Sequence, residues 1–83
     1  KLYGRKVLEK EIVPVNIDAK TFKSENFSKK NIENHFFTGC TFSSCDFSES
    51  VPCNTKFCAC TFVNSNLSLI KLDGCRLQDI YFE

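Results

Sequence analysis

The 83-residue chain has almost no net charge: 11 Lys and Arg stand against 10 Asp and Glu, leaving +1 with the one histidine neutral. So close a balance carries no sign-specific message about partners. No basic patch with interleaved aromatics is present to grip a nucleic acid, and no acidic surface to imitate one, so no nucleic-acid partner is expected. No apolar run approaches the ~20 residues needed to span a bilayer. No signal peptide or lipidation motif is visible. Without a Cys-x-x-Cys pair, and with His35 the one histidine, zinc lacks a ligand set. Nowhere does the chain assemble a nucleophile with a base held by a third group. The reading is therefore non-enzymatic, with no catalytic residue, metal, cofactor or small-molecule substrate.

What is present is a period. Positions 22, 27, 32 and so on to 82 read Phe, Phe, Ile, Phe, Phe, Phe, Pro, Phe, Phe, Leu, Leu, Leu, Phe, and eight of the 9 phenylalanines lie on this register. A period of five matches neither the 3.6 of a helix nor the 2 of a strand. Short fixed periods belong to solenoids, where each unit buries its apolar residue against its neighbours. The expected core ladder is Phe22, Phe27, Ile32, Phe37, Phe42, Phe47, Phe57, Phe62, Leu67, Leu72, Leu77 and Phe82. A second ladder runs two residues earlier. From residue 40 it reads Cys40, Cys45, Ser50, Thr55, Cys60, Ser65, Ile70, Cys75, Ile80, small or apolar throughout. One large and one small inward site per five residues describe a narrow core.

Six cysteines would first suggest disulfides. Their place in the repeat argues otherwise for Cys40, Cys45, Cys60 and Cys75, which occupy small inward sites and are expected as buried free thiols. Cys53 and Cys58 follow large residues and should face outward, where they are either free or linked to each other. His35 falls at a transitional small-residue site and reads as a partly buried packing residue.

Residues 1–21 differ from the rest. Leu2, Val7, Ile12 and Ile17 nominally continue the large ladder, but Arg5 and Lys10 stand where small residues belong. This segment is expected as an N-terminal flanking strand or cap, with residues 22–83 forming the solenoid. Pro52 breaks the large ladder and predicts a local bulge or looped-out corner. The chain begins at Lys1, and thirteen units make a short stack, so a domain of a larger protein is expected.

The pattern small–polar–Phe/Leu–polar–polar, seen in Cys40-Thr41-Phe42-Ser43-Ser44 and Cys45-Asp46-Phe47-Ser48-Glu49, resembles the pentapeptide-repeat family. That resemblance implies an all-β, right-handed, four-sided β-helix with twenty residues per coil, here about three coils. Family members that imitate DNA are strongly acidic and much longer, unlike this chain. Residues 21–66 resemble more closely the large luminal domain of the synaptic vesicle glycoprotein 2 transporters. The similarity lies in the Phe22 to Phe47 run, the irregular step through Asn54-Thr55-Lys56-Phe57, and then Cys60-Thr61-Phe62. The chain departs by being one unit shorter and by carrying Ala59 where that family often has a glycosylated Asn.

This resemblance implies a recognition domain of a larger membrane protein, in the vesicle lumen and exposed outside the cell after fusion. It also implies protein partners, a clostridial neurotoxin among them. Two glycosylation triplets, Asn26-Phe27-Ser28 and Asn66-Leu67-Ser68, fit that setting. Both asparagines precede an inward residue, so both should point outward on the same side, two coils apart. A β-helix ends in unpaired backbone groups that can accept a partner strand. The expected edge comprises Phe57, Cys58, Ala59, Thr61, Val63, Asn64, Ser68 and Lys71. The competing expectation is a cytosolic scaffold segment of a bacterial effector.

Overall fold

The structure, a computed structural model, describes residues 14–83. Eight short strands form two parallel sheets. In one, β1 (Val15–Asp18), β3 (His35–Thr38), β5 (Lys56–Cys58) and β7 (Arg76–Gln78) stack in that order. In the other, β2 (Thr21–Lys23), β4 (Thr41–Ser43), β6 (Thr61–Val63) and β8 (Tyr81–Phe82) do the same. Partners are always twenty residues apart, as in Phe22↔Phe42 and Phe42↔Phe62. Single parallel bridges hold the remaining two sides, Asn26↔Asp46↔Asn66 on one and Asn31↔Val51 on the other. The result is a four-sided parallel β-solenoid of about three coils.

Every fifth residue, from Ala19 to Asp79, turns a corner with φ between 48° and 75°. Only Gly39 and Gly74 are glycines; the others include Lys29, Ala59 and Leu69. A left-handed conformation costs an L-residue about 1–2 kcal/mol. What offsets it is the bond this corner makes possible. The turned N–H points along the solenoid axis and donates to the next coil, as from Ala19 to Thr38, Ser24 to Ser43, Ser44 to Val63 and Ala59 to Gln78, each at 2.8 Å.

The interior is a phenylalanine stack. Rings one coil apart lie nearly parallel, with centroids 5.0 Å apart for Phe22–Phe42 and for Phe42–Phe62, and 4.7 Å for Phe27–Phe47. Rings on adjacent sides of one coil meet edge to face, as in Phe37–Phe42 at 76° and Phe42–Phe47 at 79°. Both arrangements suit the aromatic quadrupole. The small ladder completes the core by donating inward: Cys40 to Ile17 O, Cys45 to Phe22 O, Thr55 to Ile32 O, Cys60 to Phe37 O and Ser65 to Phe42 O. The acceptor in each case lies 23 residues earlier, one coil down. Small inward sites thus favour a residue that is compact and carries a donor, which Cys, Ser and Thr all satisfy.

Three expectations need correction. The stack already includes Val15–Asp18, upstream of residue 22, because β1 pairs residue for residue with β3 and Ile17 packs against the core. Residues 1–13 of the expected flanking segment, with Leu2, Arg5, Val7, Lys10 and Ile12, lie outside the described residues. Pro52 produces no bulge: it is fully buried in the large-ladder position, and the corners at Glu49 and Asn54 keep their phase. Finally, Leu72, Leu77 and Phe82 are not interior but 43, 47 and 65 % exposed. They belong to the coil of residues 64–83, which among the described residues has a neighbour on one side only. Phe22, Phe27 and Leu67 are half-buried, and Ile32, Phe37, Phe42, Phe47, Phe57 and Phe62 are buried.

Candidate functional site

The outward surface is organised in columns of residues twenty apart. Asn26, Asp46 and Asn66 form one column, all followed two residues later by serine. In each case the Oδ1 accepts the serine N–H, at 2.8 Å for Asn26–Ser28, 2.9 Å for Asp46–Ser48 and 3.0 Å for Asn66–Ser68. These are Asx turns, which let a short polar side chain replace a backbone bond at a corner. The two glycosylation triplets therefore also serve the turn, as Asp46 does without being one. Asn26 and Asn66 are both exposed. The Ser48 N–H, and after it the Ser48 hydroxyl, hold the Asp46 carboxyl below its ordinary pKa.

All six cysteines are free thiols. Cys40, Cys45 and Cys60 are buried, while Cys53, Cys58 and Cys75 are partly exposed. Cys75 was expected inside; it is uncovered because it lies in the last coil. Burial pushes the Cys60 and Cys75 thiols above their usual range. His35 stacks on Phe37 with ring centroids 5.7 Å apart. Its Nδ1 donates to the Glu33 carbonyl at 2.7 Å, which accounts for the ring as packing. Among the described residues no three His, Cys, Asp or Glu side chains group as metal ligands.

Of the expected edge residues, those between 57 and 64 have a further coil stacked on them. Phe57 and Cys58 sit in β5, and Thr61 and Val63 in β6, both interior strands paired on either side. Ala59 N–H donates to Gln78 O and Asn64 N–H to Glu83 O. The error has a physical cause: with a twenty-residue coil, residues 76–83 stack on 56–63 and cover them. Ser68 and Lys71 do lie in the last coil, but their bonds run downward, Glu49 N–H to Ser68 O and Lys71 N–H to Ser50 O. The groups facing the open end are their neighbours.

Which groups those are follows from the repeat. Lower down, the N–H groups of Phe27 and Phe47, of Lys29 and Glu49, of Ile32, and of Ala19, Gly39 and Ala59 all donate to the coil above. Their counterparts in the last coil are Leu67, Leu69, Leu72 and Asp79, which meet no further coil within the described residues. The carbonyls of Ser65, Ile70, Cys75 and Ile80 are placed likewise. Around this edge stands an apolar end lined by Phe62, Leu67, Ile70, Leu72, Leu77 and Phe82. Leu69 and Tyr81 flank it, 75 and 59 % exposed.

A solid aromatic core, short strands and corners every fifth residue define a repeat scaffold whose accessible groups lie on its faces and at its ends. Residues 36–74 match the family model of pentapeptide repeats in eight copies, so this part of the chain is a run of pentapeptide repeats. The same ladder and corners continue beyond the match on both sides, from Ile17 to Phe82. No curated protein matches the chain.

Proposed function

We propose that the chain is a non-enzymatic recognition module that captures a protein partner by adding a strand to its last coil. The observation that carries this is the coincidence of two features at one end. Upward N–H and C=O groups at Leu67, Leu69, Ile70, Leu72, Asp79 and Ile80 pair with no further coil among the described residues, and they stand beside the exposed apolar side chains of Leu72, Leu77 and Phe82. Backbone groups supply the pairing and the apolar ladder supplies pockets for alternate side chains of the incoming strand. The luminal setting, the membrane-transporter parent and a clostridial neurotoxin as partner come from the resemblance of residues 21–66. The accessible Asx-turn asparagines 26 and 66 suit that setting.

The edge can be tested without damaging the fold, because the molecule already accepts a proline in the right place. Leu72 is the counterpart, one coil up, of Pro52. Leu72→Pro removes one upward N–H at a position whose conformation suits proline. With a clostridial neurotoxin as the probe, Leu72→Pro is expected to abolish binding while thermal unfolding stays near that of the parent chain. Undiminished binding by Leu72→Pro would sink the strand-addition mechanism. Expression through a secretory pathway, with asparagine 26 and 66 each changed to Gln, tests the compartment: loss of one glycan per substitution supports it.

A further inference from the structure

The stacking is incomplete at one corner. In the coil below, Ile32 N–H donates to Val51 O and Asn34 N–H to Cys53 O, each at 3.1 Å. One coil up, Pro52 has no N–H to give, and Asn54 N–H makes no corresponding bond to residue 73. On this side only Lys71 N–H to Ser50 O and Arg76 N–H to Thr55 O tie the two coils. A recess of about 400 Å³ opens here, lined by Phe36, Asn54, Thr55, Lys56, Gly74 and Arg76.

Its walls have an unusual composition. Phe36, Lys56 and Arg76 form one outward column in register across β3, β5 and β7. Rungs are about 4.8 Å apart, so the two cations are stacked as close as the sheet permits. Like charges directly opposite each other destabilise a sheet. In no other outward column of the two sheets do like charges meet on neighbouring rungs, and no carboxylate lines the recess. Phe36, 36 % exposed, presents an aromatic surface on the next rung. Gly74, at φ 75°, forms the far wall, and a Cβ there would stand in ordinary contact with Asn54 N at 3.8 Å.

We infer that this recess is an anion site for a phosphate monoester carried on a flat ring. The dianion lies between Lys56 and Arg76 and accepts the unpaired Asn54 N–H, and the ring stacks on Phe36. Arg supplies a planar fork suited to phosphate oxygens and Lys a point charge. The geometry is independent of the strand-addition reading, because it lies on a side of the solenoid rather than at its end.

Amide-resolved NMR titration of the chain with phenyl phosphate, cyclohexyl phosphate and inorganic phosphate tests it. An open surface site of this kind is expected to saturate at millimolar ligand. Shifts should concentrate at Phe36, Asn54 to Lys56 and Gly74 to Arg76, with phenyl phosphate bound several-fold tighter than the cyclohexyl ester. Arg76→Gln and Lys56→Gln should each weaken binding about tenfold, the worth of one charge-assisted contact. Phe36→Leu should erase the preference for the aromatic ester while leaving inorganic phosphate unaffected. Arg76 and Phe36 are exposed, so those variants keep the fold even if Lys56→Gln does not. Absence of saturable shifts, equal shifts at remote lysines such as Lys20 and Lys29, or unchanged affinity in Arg76→Gln would overturn the assignment.

Discussion

The second and fourth rings of one stack make the comparison. Phe42 and Phe82 occupy the same ladder and the same sheet, two coils apart, yet Phe42 is 0 % exposed and Phe82 is 65 % exposed. Ring stacking loosens toward the end as well, from 5.0 Å and 13° for Phe42–Phe62 to 5.7 Å and 21° for Phe62–Phe82. Cys40-Thr41-Phe42 and Ile80-Tyr81-Phe82 hold the same three positions of the repeat. Burial in a solenoid is contributed by the neighbouring coils: the middle coil has one on each side, and the coil of residues 64–83 has one side covered among the described residues.

The largest consequence is energetic. Phe42→Ala removes a ring enclosed on all sides and should cost ~3–5 kcal/mol through transfer and cavity terms. Phe82→Ala, with most of its ring already in water, should cost about 1 kcal/mol or less. Urea unfolding of the two variants measures the gap directly. Equal losses would mean that the end of the ladder is enclosed in solution, and the distinction between coils would fail.

Thiol labelling sharpens the same contrast kinetically. Cys60 and Cys75 are both small-ladder residues whose pKa burial raises, but one is fully buried in a middle coil and the other partly exposed in the last. Cys75 should react through opening of the last coil alone, and Cys60 only with wider unfolding. Cys53 and Cys58 should react before either. Rates for Cys60 and Cys75 that rise together with denaturant would show instead that all coils open as one unit.

Much of this was legible in the chain, and the illegible part has identifiable causes. The five-residue period exposed both ladders because each unit repeats the same inward demand. Three things stayed hidden. The corners were invisible because Ala19, Lys29, Glu49 and Leu69 are ordinary residues at positive φ, where glycine would have signalled a turn. The open edge was misplaced because a list of units does not show that residues 76–83 cover 56–63. The Phe36, Lys56 and Arg76 column was missed because its members are twenty apart, and only a search at that spacing would have joined them. Pro52 misled in the opposite direction: it looked like a break, yet its ring fills the ladder and its missing N–H leaves a gap outside.

Within the middle coils, two small-ladder residues make a finer comparison. The Thr55 hydroxyl donates to Ile32 O at 2.9 Å and to Cys53 O at 3.1 Å. The Ser50 hydroxyl is buried without a partner, and the carbonyl 23 residues before it, Phe27 O, instead accepts the Lys30 N–H. Thr55→Val should therefore destabilise by ~1–2 kcal/mol, while Ser50→Ala should stabilise by about 1 kcal/mol. Thermal unfolding of the pair decides it; a destabilised Ser50→Ala would reveal a partner for that hydroxyl.

Asp46 offers a pH-dependent test of the Asx column. Its folded pKa lies below the unfolded value of about 3.9, chiefly through the Ser48 N–H. The stability it contributes is therefore fully present above that unfolded value and is lost as pH falls through the folded one. Asp46→Asn keeps the turn, as asparagines 26 and 66 do, but cannot titrate. Stability of the parent chain should fall more steeply than that of Asp46→Asn below about pH 4. Identical acid limbs would remove the Ser48 contact as the cause.

The smallest effect is expected at Leu69, where strain and exposure meet in the coil of residues 64–83. It holds φ at 57° and is 75 % exposed, so its side chain returns little burial for a left-handed corner. Leu69→Gly relieves roughly 1 kcal/mol of backbone strain, but glycine also loosens the unfolded chain by about 0.4–1 kcal/mol. The net should be a stabilisation of a few tenths of a kcal/mol, close to the difference between those terms. Because the coil of residues 64–83 contacts one neighbouring coil among the described residues, that gain should appear in its own amide exchange and not in the slowest-exchanging amides around Phe42. Protection rising equally in both places would show that the end coil is coupled to the middle as tightly as the middle coils are to each other. The exposed Leu72, Leu77 and Phe82 would then be rigid in the free chain, already set to receive a partner strand.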